Sequence, residues 1–172
     1  MYRDSTILRL YNYLGSVYRE TKGHKDSALF YGVLTMNYAV RCSNLEFQIK
    51  GIFQQALYYR YAKSNPEQAL RLNLQAFNLM EKADHDPQVF WRICYNLGDL
   101  YSGIEDLENA LKYYLISEQL IQSGTGLSTV ATEAYKIAIW QGIANLFTKK
   151  GDFHSANLYF NKAIENLPKV TF

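Results

Sequence analysis

The residues able to do chemistry are few. The three histidines, His24, His85 and His154, fall in predicted turns or helix starts. Asp84-His85-Asp86 has metal-ligand types in a row, but three adjacent side chains rarely converge on one ion, and Asp86 is in position to cap a helix. A surface loop is therefore expected there and no metal site. Gly124-Thr-Gly126 lacks the Lys-Ser/Thr and the preceding strand of a phosphate loop, and reads as a connector. Cys42 and Cys94 have no Cys-x-x-Cys spacing and read as small buried residues of the core helices, with no disulfide framework. No Gly-x-Ser-x-Gly elbow and no His-Glu-x-x-His pair occurs. A non-enzyme without cofactors is the expectation, and attention moves to surfaces that bind.

Such surfaces need elements to carry them, and the elements are marked by a recurring alanine. Ala28, Ala69 and Ala110 lie 41 residues apart, and Ala156 follows after 46. Their frames are alike: Asp26-Ser-Ala-Leu, Pro66-Glu-Gln-Ala-Leu, Leu107-Glu-Asn-Ala-Leu and Phe153-His-Ser-Ala-Asn. Repetition on this scale indicates stacked helical units, each burying its apolar face against its neighbours. Around Ala156 stand Trp140, Ile143-Ala144, Phe147, Gly151, Phe160, Ala163 and Pro168. Ala110 is framed by Leu97-Gly98-x2-Tyr101, Tyr114 and Ser117, with Glu105 in place of the mid-repeat glycine and Trp91 three positions early. Ala28 follows Leu14-Gly15-x2-Tyr18 and Gly23, and Ala69 follows Ala56-Leu57, Tyr61 and Asn65-Pro66.

This order of markers resembles the tetratricopeptide repeat family over almost the whole chain. The resemblance implies an all-α right-handed superhelical solenoid of about eight helices, in antiparallel pairs of a helix A and a helix B. The approximate repeats are 4–42, 43–84, 86–122 and 128–168, in one domain spanning 1–172. Buried alanines would let paired helices approach, Tyr18, Tyr101 and Phe147 would fill the space opposite, and Gly15 and Gly98 would clear the crossings of backbones. Helix A1 is predicted from about Asp4 to Thr21 and B1 from about Asp26 to Arg41. Ser43-x-x-Glu46 reads as a capping box opening A2. Asn65-Pro66 and Asp86-Pro87 read as caps followed by proline at the first helical position. Asp106 and Asp152 are the predicted caps of B3 and B4, and A4 begins near Ser128. The long period also resembles sensory arrays ahead of bacterial signalling modules.

The family places helix A of each repeat on a concave face. Positions flanking the Leu-Gly marker then become the peptide- or protein-binding candidates: Asn12, with Ser16, in repeat one; Gln55 and Tyr59 in repeat two; Arg92, Tyr95 and Asp99 in repeat three; Gln141 and Asn145 in repeat four. Amides, phenols and hydroxyls in one groove suit an extended peptide, whose backbone offers donors and acceptors along its length. The cationic set that grips chaperone C-termini is present only in part, with Asn12 and Ser16 where lysine and asparagine are expected. The alternative function is a structural assembly module.

Composition bounds the partners. With 18 basic and 16 acidic residues and no basic stripe, nucleic acid is not an expected partner. No apolar run approaches the roughly 20 residues needed to span a bilayer, and Met1-Tyr-Arg-Asp leads into a helical pattern without a signal peptide. These features leave the compartment open, with the cytoplasm only slightly favoured. The predicted last helix carries Phe160, Ile164 and Leu167 as an apolar stripe that a further repeat would cover. With only Lys169-Val-Thr-Phe172 after Pro168, the stripe calls for a longer protein, a flanking domain or a second copy of the chain as a homodimer.

Overall fold

In a computed structural model the chain is described over residues 2–82, 87–122 and 128–167. Among the described residues eight helices follow one another: α1 (Tyr2–Glu20), α2 (Lys25–Arg41), α3 (Leu45–Tyr61), α4 (Pro66–Met80), α5 (Pro87–Gly103), α6 (Leu107–Gln122), α7 (Thr129–Lys149) and α8 (Phe153–Asn166). No strand occurs among the described residues. The class is all-α helical repeat, as the recurring alanines imply. Contacts divide the chain into two compact units, Met1–Asp86 and Pro87–Phe172. In the first unit α1 packs on α2, α2 on α3 and α3 on α4, with α1 also touching α3. The second repeats the plan: α5 on α6, α6 on α7, α7 on α8, and α5 touching α7.

Caps set most of the helix starts. Asn65 accepts from the Gln68 amide at 3.0 Å, with Pro66 at the first helical position, where no N–H partner is needed. Asp106 accepts from the Asn109 amide at 3.1 Å, Asp152 from Ser155 at 3.0 Å, and Ser128 from Ala131 at 3.3 Å. Two predicted starts are corrected. The cap of α3 is Asn44, which accepts from the Phe47 amide at 3.1 Å. Ser43 cannot cap, because its backbone is left-handed (φ 52°) and forms the turn itself. Helix α2 starts at Lys25, behind His24, which makes no side-chain cap. The predicted Asp86 cap, the Asp84-His85-Asp86 loop, the Gly124-Thr-Gly126 connector and the tail from Pro168 lie outside the described residues.

Each of five turns places one left-handed residue directly before the capping position: Gly23 (φ 82°), Ser43 (52°), Ser64 (50°), Glu105 (64°) and Gly151 (76°). The chain reverses there, and in four cases the next amide reaches back to the helix just ended: Asn44 N to Ala39 O and Asn65 N to Tyr59 O, both 2.8 Å, and Asp106 N to Tyr101 O and Asp152 N to Phe147 O, both 3.0 Å. That is the hydrogen-bond pattern of a helix finished by a left-handed residue, which glycine adopts without cost and glutamate does not.

All four repeat alanines are buried. Each predicted large partner stacks on an aromatic three residues after its alanine. Tyr18 lies on Tyr31 with ring centroids 5.5 Å apart, Tyr101 on Tyr113 at 5.5 Å, and Phe147 on Tyr159 at 5.8 Å. Such pairs contribute about 0.5–1.5 kcal/mol each beyond the area they bury. The glycines work differently from expectation. Backbones approach most closely at Gly51, where an added Cβ would sit 2.6 Å from Met36 N and 2.8 Å from Gly32 O. Gly15 and Gly98 make room for side chains instead: Gln54 at Gly15 and Tyr114 at Gly98.

Candidate functional site

In the second unit two of the candidates, Tyr95 and Asp99, meet one tyrosine. Tyr114 belongs to α6, is buried, and passes between α5 and α7. Its ring lies 2.7 Å from where a Cβ on Gly98 would stand, and equally close to where one on Gly142 would stand. Two glycines, one on each flanking helix, thus open a slot for one ring. The Tyr114 hydroxyl donates to Asp99 Oδ1, and the ring packs against Tyr95 with centroids 5.9 Å apart. Arg92, Tyr95 and Asp99 fall at i, i+3 and i+7 of α5, so they share a face over two turns. The Arg92 carbonyl accepts from Asn96 Nδ2 at 2.9 Å. On α7, Gln141 and Asn145 lie one turn apart, both exposed, on either side of Gly142. Lys149 Nζ donates to the Ser102 carbonyl at 3.1 Å and so ties the end of α7 to the last turn of α5.

The opposite edge of this unit is structural. Ser117 Oγ donates to the Trp91 carbonyl at 2.8 Å, and Trp140 Nε1 donates to Glu118 at 2.7 Å. Cys94 is buried there, and burial pushes its thiol pKa up to about 12. It is a packing residue, as its sequence context implies. Cys42 is exposed, contrary to its reading as a core residue. It follows the last residue of α2, where the chain turns toward Asn44 and no longer faces the core.

In the first unit Asn12 is engaged, and the α3 candidates shift by one residue. Gln54 Nε2 donates to the Asn12 carbonyl at 2.7 Å and to Asn12 Oδ1 at 2.9 Å, with Ser16 Oγ at 3.4 Å. Gln55 Nε2 turns to the Gly51 carbonyl at 3.2 Å and to Met36 Sδ at 3.7 Å, on the α2 side. The residues of α3 that accompany Asn12 and Gly15 are therefore Gln54 and Tyr58, not Gln55 and Tyr59. Tyr59 packs edge-on against Tyr58 at 5.4 Å. Placing Leu57 where Leu14 and Leu97 stand, which also aligns the exposed Tyr61 with Tyr18, sets the register one residue late; aligning Ala56-Leu57 directly on Leu14-Gly15 moves it to Gln54 and Tyr58.

Tyr58 closes a cleft that sequence reasoning missed. About 360 Å³ of space, open to solvent, lies among Gly15, Arg19, Lys25, Gln54, Tyr58 and Tyr61. The Tyr58 hydroxyl donates to Asp26 Oδ1, and this bond holds the phenol pKa above its usual value. Lys63 sits over the Tyr58 ring, 5.7 Å from its centroid and 3.8 Å from Asp26, and its pKa is raised, first by Tyr58. No local spacing pointed toward this cleft, because its lining comes from three helices. Among the described residues no three histidines, cysteines or acids come together as metal ligands, and no helix is long and apolar enough to cross a membrane.

These helix pairs match known proteins at the level of the repeat. The family model described as tetratricopeptide repeat matches residues 92–115 and 137–168, within the second unit. The chain is thus an all-α helical-repeat protein, and these two stretches of it match the tetratricopeptide repeat model. Among solved structures it is similar to the crystal structure of BtubC (BKLC) from P. vanneervenii, with a TM-score of 0.76 and 15% identity. That match covers 95% of this chain and 64% of the other, so the chain spans under two thirds of the length of that relative. At this identity the likeness is one of fold. No curated protein matches the chain.

Proposed function

We propose that the chain is a non-catalytic scaffold that binds a protein or an extended peptide on the faces of its A-type helices. The observation that carries this reading is the arrangement around Tyr114. A phenol, a carboxylate and a second phenol are held in fixed relation on α5 and α6, beside the exposed amides Gln141 and Asn145 on α7. Side-chain amides and phenols present donors and acceptors that pair with a peptide backbone, while the tyrosine rings supply rigid apolar area. Tetratricopeptide repeats as a class serve protein interaction, which favours this reading over catalysis. Service as the sensor or interaction segment of a larger signalling protein is compatible with it. The test is a partner captured by the protein and titrated against Tyr95→Ala and Asp99→Ala. Each substitution should weaken binding at least several-fold; unchanged affinity in both, with helicity intact, refutes the placement.

A second reading, an assembly module, is favoured by one observation. Ile164 and Leu167 at the end of α8 are exposed, as the apolar stripe of that helix led us to expect. In this case the Tyr95 and Asp99 variants would bind normally while Ile164→Lys would abolish assembly.

A further inference from the structure

The two units build the same joint from different residues, and in the first unit the difference leaves a cationic cleft. Aligned on Leu14-Gly15 and Leu97-Gly98, α1 has Arg19 where α5 has Ser102. Aligned on Ala28 and Ala110, α2 has Lys25 and Gly32 where α6 has Leu107 and Tyr114. Aligned on Ala56-Leu57 and Ile143-Ala144, Ala62 just past α3 stands where α7 ends in Lys149. In the second unit Lys149 Nζ reaches the Ser102 carbonyl at 3.1 Å and bridges the two helix ends. Ala62 has no side chain long enough to do the same, and both Ala62 and Arg19 line the cleft beside Tyr58.

The inner wall of this cleft is fixed. With glycine at position 32, no ring from α2 covers Gly15. Gln54 of α3 covers it instead, with Oε1 2.3 Å from where a Cβ on Gly15 would stand and Nε2 bonded to the Asn12 carbonyl at 2.7 Å. Much of the remaining lining is apolar, from Ala28, Leu57 and Ala62. The charged residues of the lining are Arg19 and Lys25, both cationic. The acids nearby are already engaged. Glu20 accepts from Arg19 Nε at 2.8 Å, and Asp26 accepts from the Tyr58 hydroxyl and lies 3.8 Å from Lys63. Arg19 keeps its two terminal nitrogens, and Lys25 is exposed and pairs with no described residue. Two cations over an apolar lining are complementary to a carboxylate carried on an apolar stem.

We propose that this cleft is a subsite for a glutamate side chain of a bound protein segment, an inference that rests on the peptide-binding reading above. Arg19 and Lys25 take the carboxylate, and the apolar lining takes the methylenes that carry it. Glutamate has two methylenes to lay there and aspartate one. Neither cation falls on Asn12 or Ser16, where the set that grips chaperone C-termini begins. The second unit has Ser102 and Leu107 in place of the two cations, so the subsite belongs to the first unit alone.

The experiment is an amide NMR titration of the protein with a tripeptide, alanyl-glutamyl-alanine, acetylated and amidated at its ends so that the side chain carries its only charge. The expected result is saturable shifts at Gly15, Lys25 and Ala62. The glutamine tripeptide, of the same shape without the charge, should bind several-fold more weakly, and the aspartate tripeptide more weakly than the glutamate one. Arg19→Gln combined with Lys25→Gln should reduce glutamate binding to the glutamine level. Both substitutions keep the stem of a surface residue, and an otherwise unchanged spectrum shows that the fold is intact. The proposal is overturned by glutamine or aspartate tripeptides that bind as tightly as glutamate, by shifts that persist in the double variant, or by the absence of shifts around the cleft. Tyr95 and Asp99 belong to the other unit, so a captured partner that depends on them upholds the peptide-binding reading even where this subsite fails.

Discussion

Replacing Gly142 with alanine sets two effects of known size against each other. Gly142 lies inside α7, where alanine is favoured over glycine by about 1 kcal/mol on helix propensity alone. Against this, the added Cβ would stand 2.7 Å from Tyr114 Cζ and 2.9 Å from its hydroxyl. The ring has little freedom to withdraw, because on its other side it lies 2.7 Å from the Cβ position of Gly98 and its hydroxyl is bonded to Asp99. Overpacking of this kind costs about 1–3 kcal/mol. The net for Gly142→Ala is therefore a destabilisation of about 0–2 kcal/mol. With Tyr114→Leu in the background the slot is empty at that depth, and the same substitution should stabilise by about 1 kcal/mol. The sign change, a coupling of about 1–3 kcal/mol, is the quantity of interest. Urea unfolding followed by tryptophan fluorescence measures it, since both tryptophans, Trp91 and Trp140, are buried in the second unit and report on its unfolding alone. A gain of the full propensity value in the natural background, or no change of sign with Tyr114→Leu, would refute the claim that Gly142 exists to admit Tyr114.

The remaining predictions need simpler measurements. Glu105→Gly should raise stability by about 1 kcal/mol, because Glu105 holds the left-handed conformation that Gly23 and Gly151 hold without cost; thermal melts compare the two. Ala110→Trp, at a fully buried position between paired helices, should lose roughly 1–3 kcal/mol or more. A thiol reagent at neutral pH should modify Cys42 quickly and leave Cys94 unmodified until the protein unfolds, since one thiol is exposed and the other is buried with a pKa near 12. Asp106 and Asp152 have carboxyl pKa values held below the usual range by the groups they cap, Asn109 and Ser155. Their stabilisation is present above the unfolded value of about 4 and lost as pH falls through the lower folded values, so Asp106→Asn with Asp152→Asn should flatten the melting temperature below about pH 4.

Local signals in the chain were enough for the architecture. Four alanines in matched frames required four helix pairs, since only a small residue lets two helices close at that point. Asn65, Asp106 and Asp152 were legible as caps, and Ser128 as an approximate start, because capping involves a side chain and an amide three residues away. That Tyr18, Tyr101 and Phe147 fill space between paired helices followed from the repeat frame, but the aromatic each one stacks on did not. What failed were distinctions between adjacent residues. Ser43 and Asn44 are both good caps, and only the fold shows that Ser43 is spent on the turn. Gln54 and Gln55 are chemically identical, and a shift of one residue turns a helical side chain by about 100°, from α1 to α2. The slot around Tyr114 and the cleft beside Tyr58 are each made by three helices, so no local spacing encodes them. The chain thus determined by itself which segments are helices, to within a residue where most of them start, and which alanines let them pair. Tertiary structure alone decided which side chain occupies each shared space, because that depends on the residue facing it from another helix, and one volume admits one side chain.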